Sequence, residues 1–114
     1  MSGEPADLLQ GTLELLLLKT LSLEPMHGWG ITLRLEQMTQ QALRVNQGSL
    51  YPALERLRRR GWIRSEWRTT ENNRRARYYE LTRAGHKELD AQTEAWSRSS
   101  AMVNRVLAWS GGAA

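Results

Sequence analysis

The most constraining feature of the chain is a short amphipathic segment, from Val45 to Gly61, whose two ends both carry capping residues. Asn46 or Ser49 can cap the first amide groups of a helix here, and Pro52 is tolerated in its first turn. A glycine such as Gly61 is typical of a helix C-terminus. The segment therefore predicts one helix with a narrow apolar stripe, formed by Leu50, Ala53, Leu54 and Leu57.

Two alternating stretches follow this helix and predict a β-hairpin. They are Trp62–Arg68 and Ala76–Leu81, and in each of them every second side chain faces the same side. The polar residues between them include Asn72 and Asn73, which favour a turn. The hairpin is therefore expected to have an arginine-rich tip.

Two apolar helices are expected ahead of the amphipathic segment. The first runs from about Leu8 to Leu21, with Asp7 as its cap, and its leucines lie on more than one side. The residues from Glu24 to Gly28 break that helix. A second helix fits from Trp29 to about Ala42.

The last helix is expected to begin after Thr82, a capping residue, and to run to about Trp109. Its apolar residues follow a weak, partly polar heptad. A helix this long cannot cover its apolar stripe against so small a domain alone, so a second copy of the chain is the expected cover. The expected dimer contacts are Leu89, Trp96, Val103 and Leu107.

The order of these elements defines the expected fold: mainly α with a small β-hairpin, a winged helix-turn-helix plus a long C-terminal dimerisation helix. At 114 residues the chain is too short for two independent cores. Residues 1–82 are expected to form the DNA-binding domain, residues 83–109 the dimerisation helix, and residues 110–114 a flexible tail.

Positive charge is concentrated in one part of the chain. Residues 56–83 contain ten arginines and three glutamates, a local charge of +7, whereas the whole chain carries +4. A basic block on an acidic remainder indicates a polyanionic partner. A solvated arginine-rich surface explains the charge equally well. The position of the arginines in the fold must distinguish a solvated surface from a polyanion-binding one. The basic side chains gather on the outer face of the third helix and at the hairpin tip, which are the surfaces a winged helix presents to DNA.

The candidate DNA contacts follow from this placement, each beside a simpler explanation. Gln47 and Ser49 could read base edges or bind phosphate, although capping alone would explain Ser49. Tyr51 could bind phosphate or cover the edge of the core. Arg58, Arg59 and Arg60 are expected to be a mixed set in which at least one is only solvated. The predicted set is Gln47, Ser49, Tyr51, Arg56, Arg74, Arg75 and Arg77, with Arg56 as the best candidate for the groove.

Catalysis and metal binding are not expected. The chain has no cysteine, and its two histidines, His27 and His86, have no acidic partners at ligand spacing. There is no glycine-rich phosphate loop and no expected cofactor. The richest apolar run, Leu13–Leu18, is too short to span a membrane, and the first residues do not resemble a signal peptide. The expected location is the cytoplasm, on the nucleoid when bound to DNA.

Trp96 suggests a further hypothesis. A tryptophan in the middle of a dimer seam, flanked by small polar residues, could line a pocket for a flat aromatic effector. The alternative is that Trp96 simply belongs to the dimer core.

The sequence also resembles the PadR-type regulators. The resemblance is carried by residues 9–14 and 27–31, by the run from Gln47 to Leu54, by residues 60–63, and by residues 74–82 with Gly85. It implies a homodimeric winged-helix repressor, of the branch with a single C-terminal helix, that often senses a small molecule. By match to the family motif, Gln47, Ser49 and Tyr51 become groove or phosphate contacts, and Arg74, Arg75 and Arg77 wing contacts.

The expected function is therefore repression by a homodimer on a near-palindromic double-stranded DNA operator, with release by a small aromatic effector as a hypothesis. A winged-helix protein-interaction module without an operator remains the alternative, because this fold is also used for protein contacts. RNA binding is a weaker reading, in which Tyr78 and Tyr79 would stack on unpaired bases instead of packing in the fold.

Overall fold

A computed structural model of the chain describes residues 10–112, and within them it contains four helices and three strands. Asp7, Leu8 and Leu9, which the sequence places at the first helix, lie outside the described residues, as do residues 113–114 of the tail. In chain order the elements are α1 (Gln10–Leu23), β1 (Met26–His27), α2 (Gly28–Met38), α3 (Gln47–Arg59), β2 (Ile63–Thr69), β3 (Arg75–Leu81) and α4 (Arg83–Ala108).

Helix α3 agrees with the sequence prediction at both ends. Asn46 is the cap, since its side-chain oxygen accepts a hydrogen bond from the Ser49 amide at 2.8 Å. Gly61 follows the helix with φ +78°, a left-handed conformation that glycine adopts without a steric penalty. All four predicted stripe residues, Leu50, Ala53, Leu54 and Leu57, are buried.

The hairpin is confirmed, but the sheet has a third strand that the sequence did not reveal. Strands β2 and β3 pair antiparallel from Ile63 opposite Leu81 to Thr69 opposite Arg75. The segment expected only to break the helices contains β1, whose Met26 pairs with Tyr79 of β3. Two residues are too few to show an alternating pattern, so this strand depends on the partner that it finds in the fold.

Helix α2 is shorter than predicted. It ends at Met38, not near Ala42, because Gln40 and Gln41 both have left-handed φ angles, of 52° and 68°. The Thr39 hydroxyl supports the turn by accepting a hydrogen bond from the Leu43 amide at 3.1 Å. As a result Leu43 is buried in place of Ala42 and Met38, which are exposed.

The core lies where the helices meet the inner face of the sheet. Helix α1 is central to it, since Leu17 and Leu18 are both fully buried although they lie on adjacent faces of the helix. This explains why the helix is apolar on more than one side. The other large aliphatic side chains that are fully buried are Ile31, Leu35, Leu50, Leu54, Leu57 and Ile63.

Helix α4 is anchored to the domain through its N-terminal part. The Thr82 hydroxyl caps it, accepting a hydrogen bond from the Gly85 amide at 3.0 Å, and donates to the Gly61 carbonyl at 2.6 Å. Leu89 packs in the core of its own chain. Beyond Leu89 the helix continues for about five turns, with its large apolar side chains exposed: Trp96, Met102, Val103, Val106 and Leu107.

Candidate nucleic-acid interface

The start of α3 and the hairpin border one open cleft of about 650 Å³. One wall is formed by Tyr51, near the start of α3, and by the N-terminus of α2. The opposite wall is the hairpin, which contributes three arginines. The structure thus brings together four of the predicted DNA contacts, Tyr51, Arg74, Arg75 and Arg77, and adds the exposed side chains of Trp29 and Trp67.

Tyr51 is held in the cleft by a close approach to helix α2. Its ring lies over Gly28, in the space that a Cβ atom on that residue would occupy. Gly28 is itself buried at the first position of α2, directly after β1. The side chain of Tyr51 is nevertheless about half exposed and forms part of the cleft wall.

The three hairpin arginines keep their charge free. Arg74 lies in the turn, where its carbonyl accepts a hydrogen bond from the Thr70 amide at 2.6 Å. Arg75 lies 5.8 Å from the centre of the Trp67 ring, and Arg77 donates to the Ser65 hydroxyl at 2.9 Å. Within residues 10–112 no carboxylate lies within 4.0 Å of any of these three guanidinium groups.

Most of the neighbouring arginines, by contrast, are neutralised by glutamates. Arg58 and Arg59 both contact Glu55, with Nε–O distances of 3.0 and 3.4 Å, and the hydrogen bond from Arg58 lowers the pKa of Glu55 to about 2. Arg64 pairs with Glu80 at 3.3 Å, and Arg68 pairs with Glu66 at 2.8 Å. Arg58 and Arg59 share one carboxylate and keep a net charge of +1, whereas Arg74, Arg75 and Arg77 on the hairpin have no carboxylate within 4.0 Å among residues 10–112.

Gln47 and Ser49 lie exposed at the start of α3. Because Asn46 caps the helix, the side chain of Ser49 is not needed for that purpose. Both residues belong to the helix that a winged helix-turn-helix protein inserts into the major groove.

Arg56 lies apart from the other predicted contacts. Its Nε donates to a carboxylate oxygen of Glu14 on α1 at 2.7 Å, and it does not line the cleft. Arg60 donates to the second oxygen of the same carboxylate at 2.7 Å. Glu14, which is buried, was not recognised from the sequence. The available signal was one charged residue inside an otherwise apolar run.

The tyrosines of β3 are engaged within the fold. Tyr79 is buried, and burial raises its pKa above the usual value of 10.0. Tyr78 meets the ring of His27 edge to face at 5.2 Å and carries the guanidinium of Arg68 on its ring at 5.1 Å. Both therefore pack, as the sequence suggested, and the case for stacking on RNA bases is weakened.

A second concave region lies between α1 and α4. Two adjoining cavities, of about 520 and 350 Å³, share Thr12, Leu15 and Trp96 in their walls. Trp96 is about half exposed, as is Val103 one heptad later. Of the four predicted dimer contacts, Trp96, Val103 and Leu107 are thus on the surface, whereas Leu89 is covered by its own chain.

Two further sequence expectations concern absences. Among residues 10–112, histidine and acidic side chains do not gather in any group of three that could hold a metal ion. Over the same residues, no helix is both long enough and apolar enough to cross a membrane.

The helices, the three-stranded sheet and the basic hairpin define a winged-helix transcription regulator. The model of the PadR-like transcriptional regulator family matches residues 17–91, and the chain belongs to this family. PadR regulators bind DNA and are not enzymes.

Solved structures support the same assignment. The chain is 29% identical to a PadR-like transcription factor from Bacteroides fragilis, with a TM-score of 0.71 over 85% of this chain and 91% of that one. A PadR-like regulator from Bacillus cereus is 26% identical, with a TM-score of 0.76 over 88% and 95%. A transcriptional regulator from Clostridium thermocellum is 25% identical, with a TM-score of 0.79 over 88% and 97%. Among curated protein sequences, none matches the chain.

Proposed function

We propose that this protein is a repressor that binds a near-palindromic DNA operator as a homodimer. The observation that carries the proposal is the cleft between α3 and the hairpin, which is lined by Tyr51 and by three arginines that form no ion pair with a carboxylate of residues 10–112. Guanidinium groups without carboxylate partners are suited to phosphate oxygens, because phosphate accepts two parallel hydrogen bonds from one guanidinium.

The division of labour follows the fold. Helix α3 enters the major groove, where Gln47 and Ser49 at its exposed start contact base edges or phosphate. The hairpin lies along the sugar–phosphate backbone and contributes Arg74, Arg75 and Arg77. Arg56 is not part of this contact set in the free protein, because Glu14 holds its guanidinium.

The dimer is proposed to form through residues 83–109, with residues 1–82 as the DNA-binding unit and the last residues as a tail. Beyond Leu89, helix α4 exposes an apolar side that a second copy would cover, centred on Trp96, Val103 and Leu107. Such a dimer would present two α3 helices to successive major grooves about 34 Å apart. This activity would place the protein on the nucleoid in the cytoplasm.

Trp96 is the proposed contact for a flat aromatic effector. Its ring borders both cavities between α1 and α4, and their combined size suits a small molecule. The alternative role, as dimer core, is separated by one variant. If Trp96→Ala remains dimeric and no longer responds to effector, the ring belongs to the pocket; if the dimer dissociates, the ring belongs to the core.

Equilibrium binding to duplex DNA at several salt concentrations tests the proposal. With about six phosphates neutralised per dimer, log K should fall with log salt at a slope near −5. Arg75→Ala should flatten the slope by about 2, one phosphate for each subunit. The matched control is Arg98→Ala, which removes an arginine from the exposed side of α4, where Glu94 pairs with it.

The alternative, a protein-interaction module, gives a different result. Such a module would bind duplex DNA no better than it binds a neutral protein surface, and Arg75→Ala and Arg98→Ala would behave alike. A flat salt response by the wild-type protein would contradict DNA binding through the hairpin.

A further inference from the structure

We propose that Glu14 limits the affinity and the salt dependence of DNA binding by holding Arg56 and Arg60 away from the DNA. The inference rests on the proposed function, since it concerns how many arginines the same DNA-binding surface offers to phosphate. It assigns a role in DNA binding to a buried residue of α1, outside the cleft.

The geometry is that of one carboxylate shared by two guanidinium groups. Each oxygen of Glu14 accepts one hydrogen bond, from Arg56 and from Arg60, both at 2.7 Å. The side chain of Glu14 is only 7% exposed, whereas those of Arg56 and Arg60 are 29% and 41% exposed. The arginines therefore sit at the boundary between the core and solvent, with their charged ends turned inward.

The pairing is strong enough to hold both arginines. Burial raises the pKa of Glu14, but the hydrogen bonds and charges of Arg56 and Arg60 outweigh burial, and the pKa lies below the ordinary value of 4.5. Glu14 is thus ionised at neutral pH. A buried carboxylate that lost both partners would be left uncompensated, so releasing the pair carries a large penalty. Arg60 is fixed further by the ring of Trp62, 5.2 Å from its guanidinium.

The position of the pair on α3 explains why this matters for DNA. Arg56 follows Ser49 by seven residues and Pro52 by four, so the three share one side of the helix. Ser49 and Pro52 are exposed at the end of α3 that is proposed to enter the groove. Without Glu14, Arg56 and Arg60 would be free to swing outward and bind phosphate on that side.

Contacts to phosphate carry no sequence information, so extra ones strengthen binding to every sequence. By withholding two arginines in each subunit, Glu14 lowers the affinity for duplex DNA of every sequence. Among the arginines of residues 56–83, Arg74, Arg75 and Arg77 on the hairpin are left for DNA, whereas Glu14 holds Arg56 and Arg60 against α1.

The test compares Glu14→Gln with Glu94→Gln. Both remove one negative charge, and both release arginine, but Glu94 pairs with Arg98 on the exposed side of α4. Binding of each full-length variant to a selected operator and to random-sequence duplex is measured from about 50 to about 300 mM salt. Over this range the affinity for phosphate falls steeply with salt concentration. Circular dichroism confirms that each variant is folded at the assay temperature.

For Glu14→Gln we expect random-duplex affinity to rise by about tenfold at the lowest salt, and the salt slope to steepen by about 2 to 4. Operator affinity should rise by a similar factor, because phosphate contacts carry no sequence information, so the ratio of operator to random affinity should stay the same. Adding Arg56→Gln and Arg60→Gln to Glu14→Gln should restore the wild-type slope. Glu94→Gln should change neither slope nor affinity. Equal behaviour of the two glutamate variants would overturn the inference while leaving operator binding intact.

A second pair of variants decides the matter if Glu14→Gln does not fold. In the wild-type background, Arg56→Gln leaves Glu14 paired with Arg60, and it should leave the salt slope unchanged. Arg75→Gln should flatten the slope. If Arg56→Gln flattens it as much, Arg56 already binds phosphate and the inference is wrong. Failure of the wild-type protein to bind any duplex would overturn the proposed function and this inference together.

Discussion

The hydroxyl end of the Tyr51 side chain lies against Gly28, in the space that a Cβ atom at this position would occupy. Tyr51 lies near the start of α3, and Gly28 begins α2. The contact therefore joins the helix that is proposed to read DNA to the helix that supports it, and it sets the direction in which the tyrosine hydroxyl points.

The first prediction concerns Gly28→Ala. The added methyl group meets the far end of the Tyr51 side chain, which can turn outward, so the free energy of unfolding should fall by only about 1 kcal/mol. DNA affinity should fall as far as it does in Tyr51→Ala, because the hydroxyl is displaced from its place beside Gly28. Fluorescence anisotropy with a labelled duplex measures the loss.

Gly30→Ala is the matched control for this variant. A methyl group there would lie 3.5 Å from the His27 ring, an ordinary contact, and it should leave DNA affinity unchanged. Wild-type affinity in Gly28→Ala would show that the position of Tyr51 is unimportant for binding.

The second prediction concerns the anchor of α4. A methyl group on Gly85 would overlap the backbone carbonyl of Trp62, which cannot move without shifting the start of β2. Gly85→Ala should lower the free energy of unfolding by at least about 2 kcal/mol in urea denaturation. Gly11→Ala, which adds the same atom where nothing lies within 4 Å, should be neutral or slightly stabilising. Equal stability of the two variants would contradict the close approach of α4 to Trp62.

The third prediction is a pH dependence of stability. The pKa of Glu14 is lowered in the folded protein, so its ion pairs stabilise the fold fully above the unfolded value of 4.5, and this contribution is lost as pH falls through the folded value. The difference in unfolding free energy between the wild type and Glu14→Gln should therefore be constant near neutral pH and shrink below about pH 4.5. Urea denaturation at several pH values measures it.

Glu94→Gln provides the baseline for that measurement, because Glu94 is exposed and its single ion pair contributes little. A difference between the wild type and Glu14→Gln that grows towards low pH would be opposite in sign and would exclude an ionised Glu14 in the folded state.

The fourth prediction concerns the exposed side of α4. Leu107→Glu places a charge on the proposed dimer seam and should yield monomers in analytical ultracentrifugation. Operator affinity should drop by about a hundredfold or more, because the two half-sites are no longer bound by linked units. Asn104→Glu adds the same charge at a position that is already polar and exposed, and it should remain dimeric. Dissociation of both variants would indicate a general effect of charge on α4.

The features of the fold that could be predicted from the sequence are those determined by neighbouring residues in the chain. Helix α3 was predicted at both ends because Asn46 and Gly61 act on their immediate neighbours. The predicted end of α2 was wrong because no sequence pattern reliably indicates a left-handed backbone conformation at two consecutive glutamines. Strand β1 was missed because its two residues are a strand only through pairing with β3.

The candidate site shows the same limit. The hairpin arginines were predicted as DNA contacts because their density in a turn has no structural explanation, and the structure places all three beside one cleft. Arg56 was assigned to the groove from its place on the polar side of α3, whereas in the fold it pairs with Glu14, 42 residues earlier in the chain. Leu89 fits the heptad of α4 but is close enough to the domain to be buried in its core. Both differences arise from contacts between elements that are distant in sequence.

The most direct test of the central claim is selection of random duplex DNA by the purified protein at physiological salt. A dimer that inserts two α3 helices into successive grooves should enrich an inverted repeat whose half-sites are about one helical turn apart. Recovery of no motif by a folded, dimeric protein would contradict operator recognition.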